Sequence, residues 1–381
     1  MARASLMGGG TGGQKPAAGE EGKNATKSSE ELPTAKEIGA KLIAVIKEDR
    51  KSLKNLYGTT DQELDENLKD PIKKGVEMAG KLITEKGCSY EIAIDLTALT
   101  LYNVAVLIDD SGSMISEENG ERKNTLIQYV DSITEICSMA NDCGIAAMRF
   151  MNSKKGKRNW RADSSQGYLD EHLYGGVTRI GTELQSKILD VLAPKAPSQK
   201  NPEQKRPLLV LTVTDGAVCF LLKFLKLYNN SLKKQVEGER KGHLKSIIRD
   251  CVNERQEAGK GFEAVTFQFS RIGNDPGATQ LLEELDNDVD LGKYIDILPV
   301  ECDLRRQLAE DRWFVLPKIL LGAILPDVKS PHPKSLDQQS ANNRAQWDGQ
   351  DYYQIASEKI RDHIAEMKVD GNVESDEDWD E

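Results

Sequence analysis

An apolar segment at residues 104–108 is followed directly by oxygen-bearing side chains, in the sequence Asp-Asp-Ser-Gly-Ser-Met at 109–114. Asp109 supplies a negative charge, and Ser111 and Ser113, at alternate positions, supply neutral hydroxyl oxygens. We expect Gly112 to let the loop turn tightly between the two serines. A hard cation such as Mg²⁺ prefers oxygen ligands and keeps some positions for water or a partner, so these residues predict a cation site.

Two more oxygen-bearing side chains occur next to other elements of the predicted fold. Asp215 follows the apolar segment 208–214 directly, and Thr182 precedes a helix and comes after the glycine pair at 175–176. Because ligands of open α/β sheets bind at the carboxyl ends of the strands, we expect both side chains to reach the loop of Asp109. The candidate metal-ligating residues are therefore Asp109, Ser111, Ser113, Thr182 and Asp215.

The elements that must position these residues alternate between apolar strands and amphipathic helices. Continuous apolar runs predict strands at 103–108, 145–151, 208–214, 264–269 and 294–298. Helical spacing predicts helices through Leu126, Val130, Ile133, Cys137 and Ala140, at 182–192, within a long Lys-rich insertion at 217–258 and around 281–285. This alternation predicts an α/β fold with a doubly wound, mainly parallel, Rossmann-like sheet covered on both faces.

Composition divides the chain into four parts. In order, they are a disordered N-terminal segment at 1–32, a helical extension at 33–100 that packs on the main domain, the main domain at 101–326 with its core at 102–305, and a C-terminal extension at 327–381. The C-terminal extension is expected to hold a short helix at about 351–367 and an acidic, disordered tail at 369–381, because that tail has too few apolar groups to offset the entropy of ordering.

Capping signals define the helical extension. Thr34 with Glu37 and Thr60 with Glu63 are capping boxes, and apolar residues at helical spacing follow each of them. We therefore predict two amphipathic helices between about 34 and 86, with Pro71 as a point where the second helix is interrupted.

The order Asp-x-Ser-x-Ser, then Thr, then Asp resembles the metal-ion-dependent adhesion site of von Willebrand factor type A domains, which include integrin inserted domains and copines. The resemblance covers about 102–305, and residues 266–275 are most similar to the intracellular fungal and plant-type members. It implies that Ser111, Ser113 and Thr182 ligate the metal directly or through water. It also implies that Asp109 and Asp215 hold the metal partly through bridging waters.

The resemblance implies a divalent-metal-dependent protein-binding module, not an enzyme, with Mg²⁺ or Mn²⁺ as its cofactor. Only Asp109 and Asp215 carry charge among the five ligands. A carboxylate from an Asp or Glu of a protein partner would supply the missing charge and fill the open position of the metal.

The overall composition limits the classes of partner. A net charge of -11 disfavours general binding to nucleic acids and to anionic membranes. The six cysteines form no C-x-x-C pair, which predicts reduced thiols. The N-terminus lacks the apolar core of a signal peptide, and the longest apolar stretch near the C-terminus, 313–325, is too short to span a bilayer, so we expect a cytoplasmic protein.

Three other interpretations stay open. A Mg²⁺-dependent phosphotransferase of the haloacid-dehalogenase type also places an Asp after its first strand, but it needs a second Asp where this chain has Ser111. A metal-independent scaffold is the second of these interpretations. A basic cluster could bind RNA or acidic peptides, although we expect it to be a solvated hairpin turn; it comprises Lys154, Lys155, Lys157, Arg158 and Arg161 around Trp160.

Overall fold

The computed structural model describes residues 32–216, 239–240, 242–273, 282, 285, 288–298, 304–326 and 328. The expectations for the disordered segment 1–32, except its last residue, lie outside the described residues. The same holds for residues 217–238 and 241 of the 217–258 insertion. It also holds for the helix at about 351–367 and the acidic tail of the C-terminal extension.

A six-stranded mixed sheet forms the centre of the domain, as the α/β prediction requires. Its strands are β1 (Asn103–Ile108), β2 (Ile145–Phe150), β3 (Gly156–Trp160), β4 (Leu208–Thr214), β5 (Val265–Arg271) and β6 (Ile295–Ile297). Their order is β3-β2-β1-β4-β5-β6, the order of a doubly wound sheet. All neighbouring pairs are parallel except β2 and β3.

Strand β3 was not predicted, because the basic cluster was expected to be a solvated hairpin turn. The segment pairs antiparallel with β2 at the edge of the sheet, with Met148 opposite Lys157. Its side chains are mostly exposed, so the strand lacks the apolar alternation that marks a half-buried strand. The Lys157 ammonium lies 5.0 Å from the centre of the Tyr168 ring.

Helices cover both faces of the sheet. In chain order they are α1 (Ala35–Ala44), α2 (Lys54–Tyr57), α3 (Asp61–Asn67), α4 (Lys69–Thr84), α5 (Tyr90–Leu96), α6 (Ser113–Ser116), α7 (Glu121–Ala140), α8 (Gln166–Asp170), α9 (Ile180–Leu184), α10 (Asp190–Leu192), α11 (His243–Glu257), α12 (Leu304–Glu310) and α13 (Arg312–Leu321). A π-helical turn, Gln185–Leu189, joins α9 to α10, so the helix predicted at 182–192 is present.

Alternate residues of the central strands point into two hydrophobic cores. Val104 and Val106 of β1 pack in one core with α7, the N-terminal helices and α13. Ala105 and Leu107 pack in the other core with α9 and α11. Because both faces are buried, the strands are continuous apolar runs, which is why the sequence marked them clearly.

Both capping boxes of the N-terminal helices are confirmed. Thr34 and Glu37 cap α1, and Thr60 and Glu63 cap α3. The interruption of the second predicted helix falls at Leu68, where α3 ends and α4 begins, and not at Pro71. Proline is tolerated in the first turn of a helix because the N–H it lacks would have no partner there.

A buried arginine connects the N-terminal helices to the C-terminal part of the described chain. The Arg50 guanidinium donates to the backbone carbonyls of Lys293, Ala323 and Ile324 at 2.7–2.8 Å. It also lies 3.7 Å from a carboxylate oxygen of Glu263. These contacts fix the helices that precede β1 against the segments that follow β5, and so support the sheet that carries the candidate site.

The sequence predicts no membrane-spanning segment near the C-terminus and reduced cysteines, and the described residues bear on both predictions. No helix among them has the length and apolar character needed to cross a membrane. The four cysteines among them, Cys88, Cys137, Cys143 and Cys251, are free thiols. Burial raises the pKa of the Cys137 and Cys251 thiols to about 12, which keeps both protonated and unreactive.

Candidate metal centre

The two predicted carboxylates lie at the carboxyl ends of neighbouring strands. Asp109 follows β1 and Asp215 follows β4, and these strands pair in parallel with Ile108 opposite Val213. Both aspartates are fully buried. The connections from β1 and β4 lead to opposite sides of the sheet, so this is the switch point where doubly wound folds bind ligands.

The serine loop folds back onto Asp109. The Ser111 N–H donates to Asp109 Oδ1 at 2.9 Å, and the hydroxyl oxygens of Ser111 and Ser113 lie 3.0 Å apart. The sequence prediction about Gly112 was wrong. Its φ of -62° is ordinary right-handed helical backbone, and an added Cβ would contact nothing within 4 Å. The loop turns because Ser113 begins the short helix α6.

Asp109 is held by more hydrogen bonds than the sequence suggested. Its Oδ2 accepts from the hydroxyls of Thr214 at 2.6 Å and Thr178 at 3.2 Å, in addition to the Ser111 bond on Oδ1. Burial and the nearby negative charge of Asp215 raise the Asp109 pKa from 3.8 to about 6. Two buried carboxylates that repel each other favour the binding of a cation between them.

Of the two threonines that follow the glycine pair, the structure brings Thr178 to Asp109. The predicted ligand Thr182 is exposed, and its hydroxyl donates to Glu239 Oε1 at 2.8 Å. The Glu239 carboxylate also accepts from the Gly181 N–H at 2.7 Å. Glu239 therefore caps the first turn of α9, and the Thr182 hydroxyl binds this capping carboxylate.

Asp110, the neighbour of Asp109, points away from the candidate centre. Its Oδ1 accepts from the backbone and side-chain amides of Asn152 at 2.6 and 3.0 Å. Its Oδ2 lies 3.1 Å from the Ser153 nitrogen and 2.9 Å from His172 Nε2. Both carboxylate oxygens of Asp110 are therefore occupied by residues of these other loops.

The Asp110 network also fixes the loop that carries Thr178. The Gly175 N–H donates to the Asp110 carbonyl at 2.7 Å, and the Val177 N–H donates to Asn152 Oδ1 at 3.1 Å. Gly176 has a φ of +95°, and an added Cβ there would lie 2.3 Å from Asn152 Oδ1. A glycine is required at this position, because any side chain would displace the loop.

Within the described part of the chain, sequence reasoning missed three residues that hydrogen-bond to the two predicted carboxylates. Thr178 and Thr214 bind Asp109, and Arg122 Nη1 donates to Asp215 Oδ2 at 2.9 Å. Thr178 had a usable signal, since it lies closer than Thr182 to the glycine pair. Arg122 had none, because a charged residue in the first turn of a long helix is ordinarily solvated.

The chemistry of the donors fits a hard divalent cation. Across the described ranges, no group of three or more His, Cys, Asp or Glu side chains is placed to hold a metal ion. The candidate centre has a different composition, with the carboxylates of Asp109 and Asp215 and the hydroxyls of Ser111, Ser113 and Thr178. Such an all-oxygen set suits Mg²⁺ or Mn²⁺ and does not suit zinc.

The Asp109 carboxylate already accepts three hydrogen bonds. A carboxylate offers about four lone-pair sites, which leaves little room for direct ligation and favours contact through a bridging water.

In comparisons with known proteins, no family model and no curated protein sequence matches this chain.

Proposed function

We propose that this chain is a metal-dependent protein-binding module of the von Willebrand factor A type, which uses Mg²⁺ or Mn²⁺ to bind a carboxylate of a protein partner. The observation that carries this proposal is the buried pair of Asp109 and Asp215 at the switch point, with the hydroxyls of Ser111 and Ser113 beside it. Ser111 and Ser113 would supply neutral oxygens, and the two aspartates would hold the cation partly through water.

Thr178 replaces Thr182 in the proposed ligand set, which becomes Asp109, Ser111, Ser113, Thr178 and Asp215. The replacement follows from the contact between the Thr178 hydroxyl and Asp109 Oδ2, whereas the Thr182 hydroxyl is engaged by Glu239. A metal at this centre would act as an electrophile toward an incoming carboxylate. The five residues would hold the metal and would leave a carboxylate of the partner free to bind it.

We expect Thr178→Ala to weaken Mn²⁺ binding by roughly tenfold or more, because it removes both a neutral ligand and a hydrogen bond to Asp109. Thr182→Ala should leave the affinity nearly unchanged, since that hydroxyl binds Glu239. Isothermal titration calorimetry on both variants measures this, and Thr178→Ser should restore binding. If Thr182→Ala loses affinity and Thr178→Ala does not, our assignment of the third hydroxyl ligand is wrong.

Exposed apolar side chains support a docking role for the loops of the centre. Large hydrophobic residues with substantial exposure, within the described ranges, are Leu32, Ile115, Leu173, Phe262 and Val289. Ile115 lies in α6 with Ser113, and Leu173, which is 85% exposed, lies in the loop that leads to Thr178. Apolar groups around a charged contact are typical of a binding surface, where they exclude water from the polar centre.

Affinity capture tests this function. Wild-type protein should retain a partner from cell lysate in Mg²⁺ and release it when a chelator is added, because the partner carboxylate binds through the metal. Leu173→Ser should reduce capture without changing metal affinity. Val289→Ser is the matched control, since Val289 is 94% exposed and precedes the edge strand β6. The loop of Leu173 follows β3, which is the other edge strand of the sheet.

Once a partner is captured, its Asp and Glu residues are changed to the matching amides. Loss of Mg²⁺-dependent binding in one such variant would support the partner-carboxylate mechanism. Binding that persists in every amide variant would rule that mechanism out. Capture that is insensitive to the chelator would favour the metal-independent scaffold instead.

A binding role, as opposed to a catalytic one, is the second part of the proposal. The position that a phosphotransferase would use for its acid is Ser111, and Asp110 is bound to Asn152, Ser153 and His172. The binding role would be overturned if the wild-type protein hydrolysed a generic phosphate ester in the presence of Mg²⁺ and Asp109→Ala did not. We place the interaction in a reducing, cytoplasmic setting, in keeping with the free thiols of the described cysteines.

A further inference from the structure

A buried arginine faces one of the proposed metal carboxylates. Arg122 lies in the first turn of α7, and its side chain is 4% exposed. Its Nη1 donates to Oδ2 of the fully buried Asp215 at 2.9 Å. A guanidinium is never deprotonated in proteins, so a permanent positive charge lies beside a residue that would hold a divalent cation.

A second carboxylate holds the other side of this guanidinium. Arg122 Nε and Nη2 donate to Glu118 Oε1 at 3.1 and 3.0 Å. The backbone that places this glutamate is unusual, since Glu118 and Asn119 have φ values of 50° and 53°. Left-handed backbone at non-glycine residues is costly and persists where the surrounding contacts impose it. The loop between α6 and α7 therefore orients Glu118 toward Arg122.

The loop after β5 encloses the same ion pair. Gly273 has a φ of +76°, and an added Cβ would lie 2.5 Å from Arg122 Nε and 2.8 Å from Glu118 Oε1. A side chain at 273 would collide with both groups. The guanidinium is thus confined between α7, the end of β4 and the loop after β5, and it cannot swing into solvent without opening this packing.

We propose that Arg122 is a positioning residue that balances the charge of Asp215 in the metal-free protein and limits the affinity of the centre for its metal. This inference rests on the proposed function. A divalent cation that approaches Asp215 meets the positive charge of Arg122 in a buried environment, where charges interact more strongly than in water. Glu118 moderates this repulsion by neutralising part of the guanidinium charge. The result is a centre that binds metal reversibly.

The test measures Mn²⁺ affinity by calorimetry and the melting temperature of the metal-free protein. Arg122→Met keeps much of the side-chain volume and removes the charge. We expect it to bind Mn²⁺ roughly tenfold more tightly than wild type, because the repulsion is gone. The metal-free variant should melt at a lower temperature, because Asp215 loses its counter-charge. Glu118→Gln should change the affinity in the opposite direction, several-fold weaker, because it leaves the guanidinium charge less balanced.

Two further variants separate charge from packing. Arg122→Lys keeps the positive charge but cannot bridge both carboxylates, and its affinity should stay close to that of wild type. Arg312→Met removes an arginine that pairs with Glu135 away from the centre, and should leave the affinity unchanged. If Arg122→Met does not fold, Glu118→Gln still decides the question, because it changes the charge balance at the guanidinium without removing the arginine.

The possible failures are distinguishable. Wild-type protein that binds neither Mg²⁺ nor Mn²⁺ would refute the proposed function. Wild-type protein that binds metal, with Arg122→Met equal or weaker in affinity, would leave the function standing and overturn the role of Arg122. Tighter binding by Glu118→Gln would overturn it as well, because the two charges are expected to act in opposite directions.

Discussion

Replacing Asp109 with asparagine should abolish Mg²⁺ binding and leave the metal-free protein at least as stable as wild type at neutral pH. The loss of binding follows because Asp109 is one of the two charged groups of the proposed centre. We expect the affinity to fall by about a hundredfold or more, which calorimetry would record as an absence of heat. A heat of binding equal to that of wild type would exclude the assignment.

The same substitution should not destabilise the metal-free protein, although most substitutions of buried residues do. Burial and the charge of Asp215 raise the pKa of Asp109 from 3.8 to about 6. A carboxyl whose pKa is raised on folding contributes stability that is present below its unfolded pKa and lost as the pH rises through its folded pKa. In wild type this loss falls between about pH 4 and pH 6 and costs up to about 3 kcal/mol.

Asp109→Asn has no such charge to bury and should escape the loss. Urea unfolding of the metal-free proteins across this pH window measures the difference. Wild type should lose stability relative to Asp109→Asn as the pH rises through about 6, and saturating Mg²⁺ should restore it in wild type alone. A variant that is less stable than wild type at every pH would show that Asp109 serves mainly to hold the loop.

Asp110→Ala should lose much of its stability and keep its metal binding, which is the reverse of the result expected for Asp109→Asn. The reason is that the Asp110 carboxylate organises the loops and is not a ligand. The Asn152 amides, the Ser153 N–H and His172 would lose their common partner inside the protein. Buried donors without an acceptor are costly, and we expect the free energy of unfolding to fall by about 3–5 kcal/mol.

Urea unfolding in the presence of Mg²⁺ checks this prediction. Asp142→Ala is the matched control, because the Asp142 side chain is 87% exposed and its loss should change the stability very little. The folded fraction of Asp110→Ala should still bind one Mg²⁺ per chain when it is measured at low temperature. Near wild-type stability would mean that His172 and Asn152 find other partners. Complete loss of metal binding by folded protein would place Asp110 in the ligand set.

The amino-acid sequence alone determined the central strands and both capping boxes. Strands buried on both faces are continuous apolar runs, and a capping box is a contact between residues three positions apart, so both signals are local. The neighbouring positions of Asp109 and Asp215 followed from the same signals. Each residue comes directly after a buried strand, and the ends of parallel strands meet at one edge of the sheet.

Tertiary structure decided how the rest of the centre is assembled. Thr178 and Thr182 are close in sequence and carry the same hydroxyl, and the difference between them lies in the path of the loop, which Asp110 and Asn152 fix from a neighbouring strand end. The contact of Arg122 with Asp215 joins residues 93 positions apart. Such contacts depend on the packing of whole elements against one another, which neither hydrophobic periodicity nor local hydrogen bonding encodes.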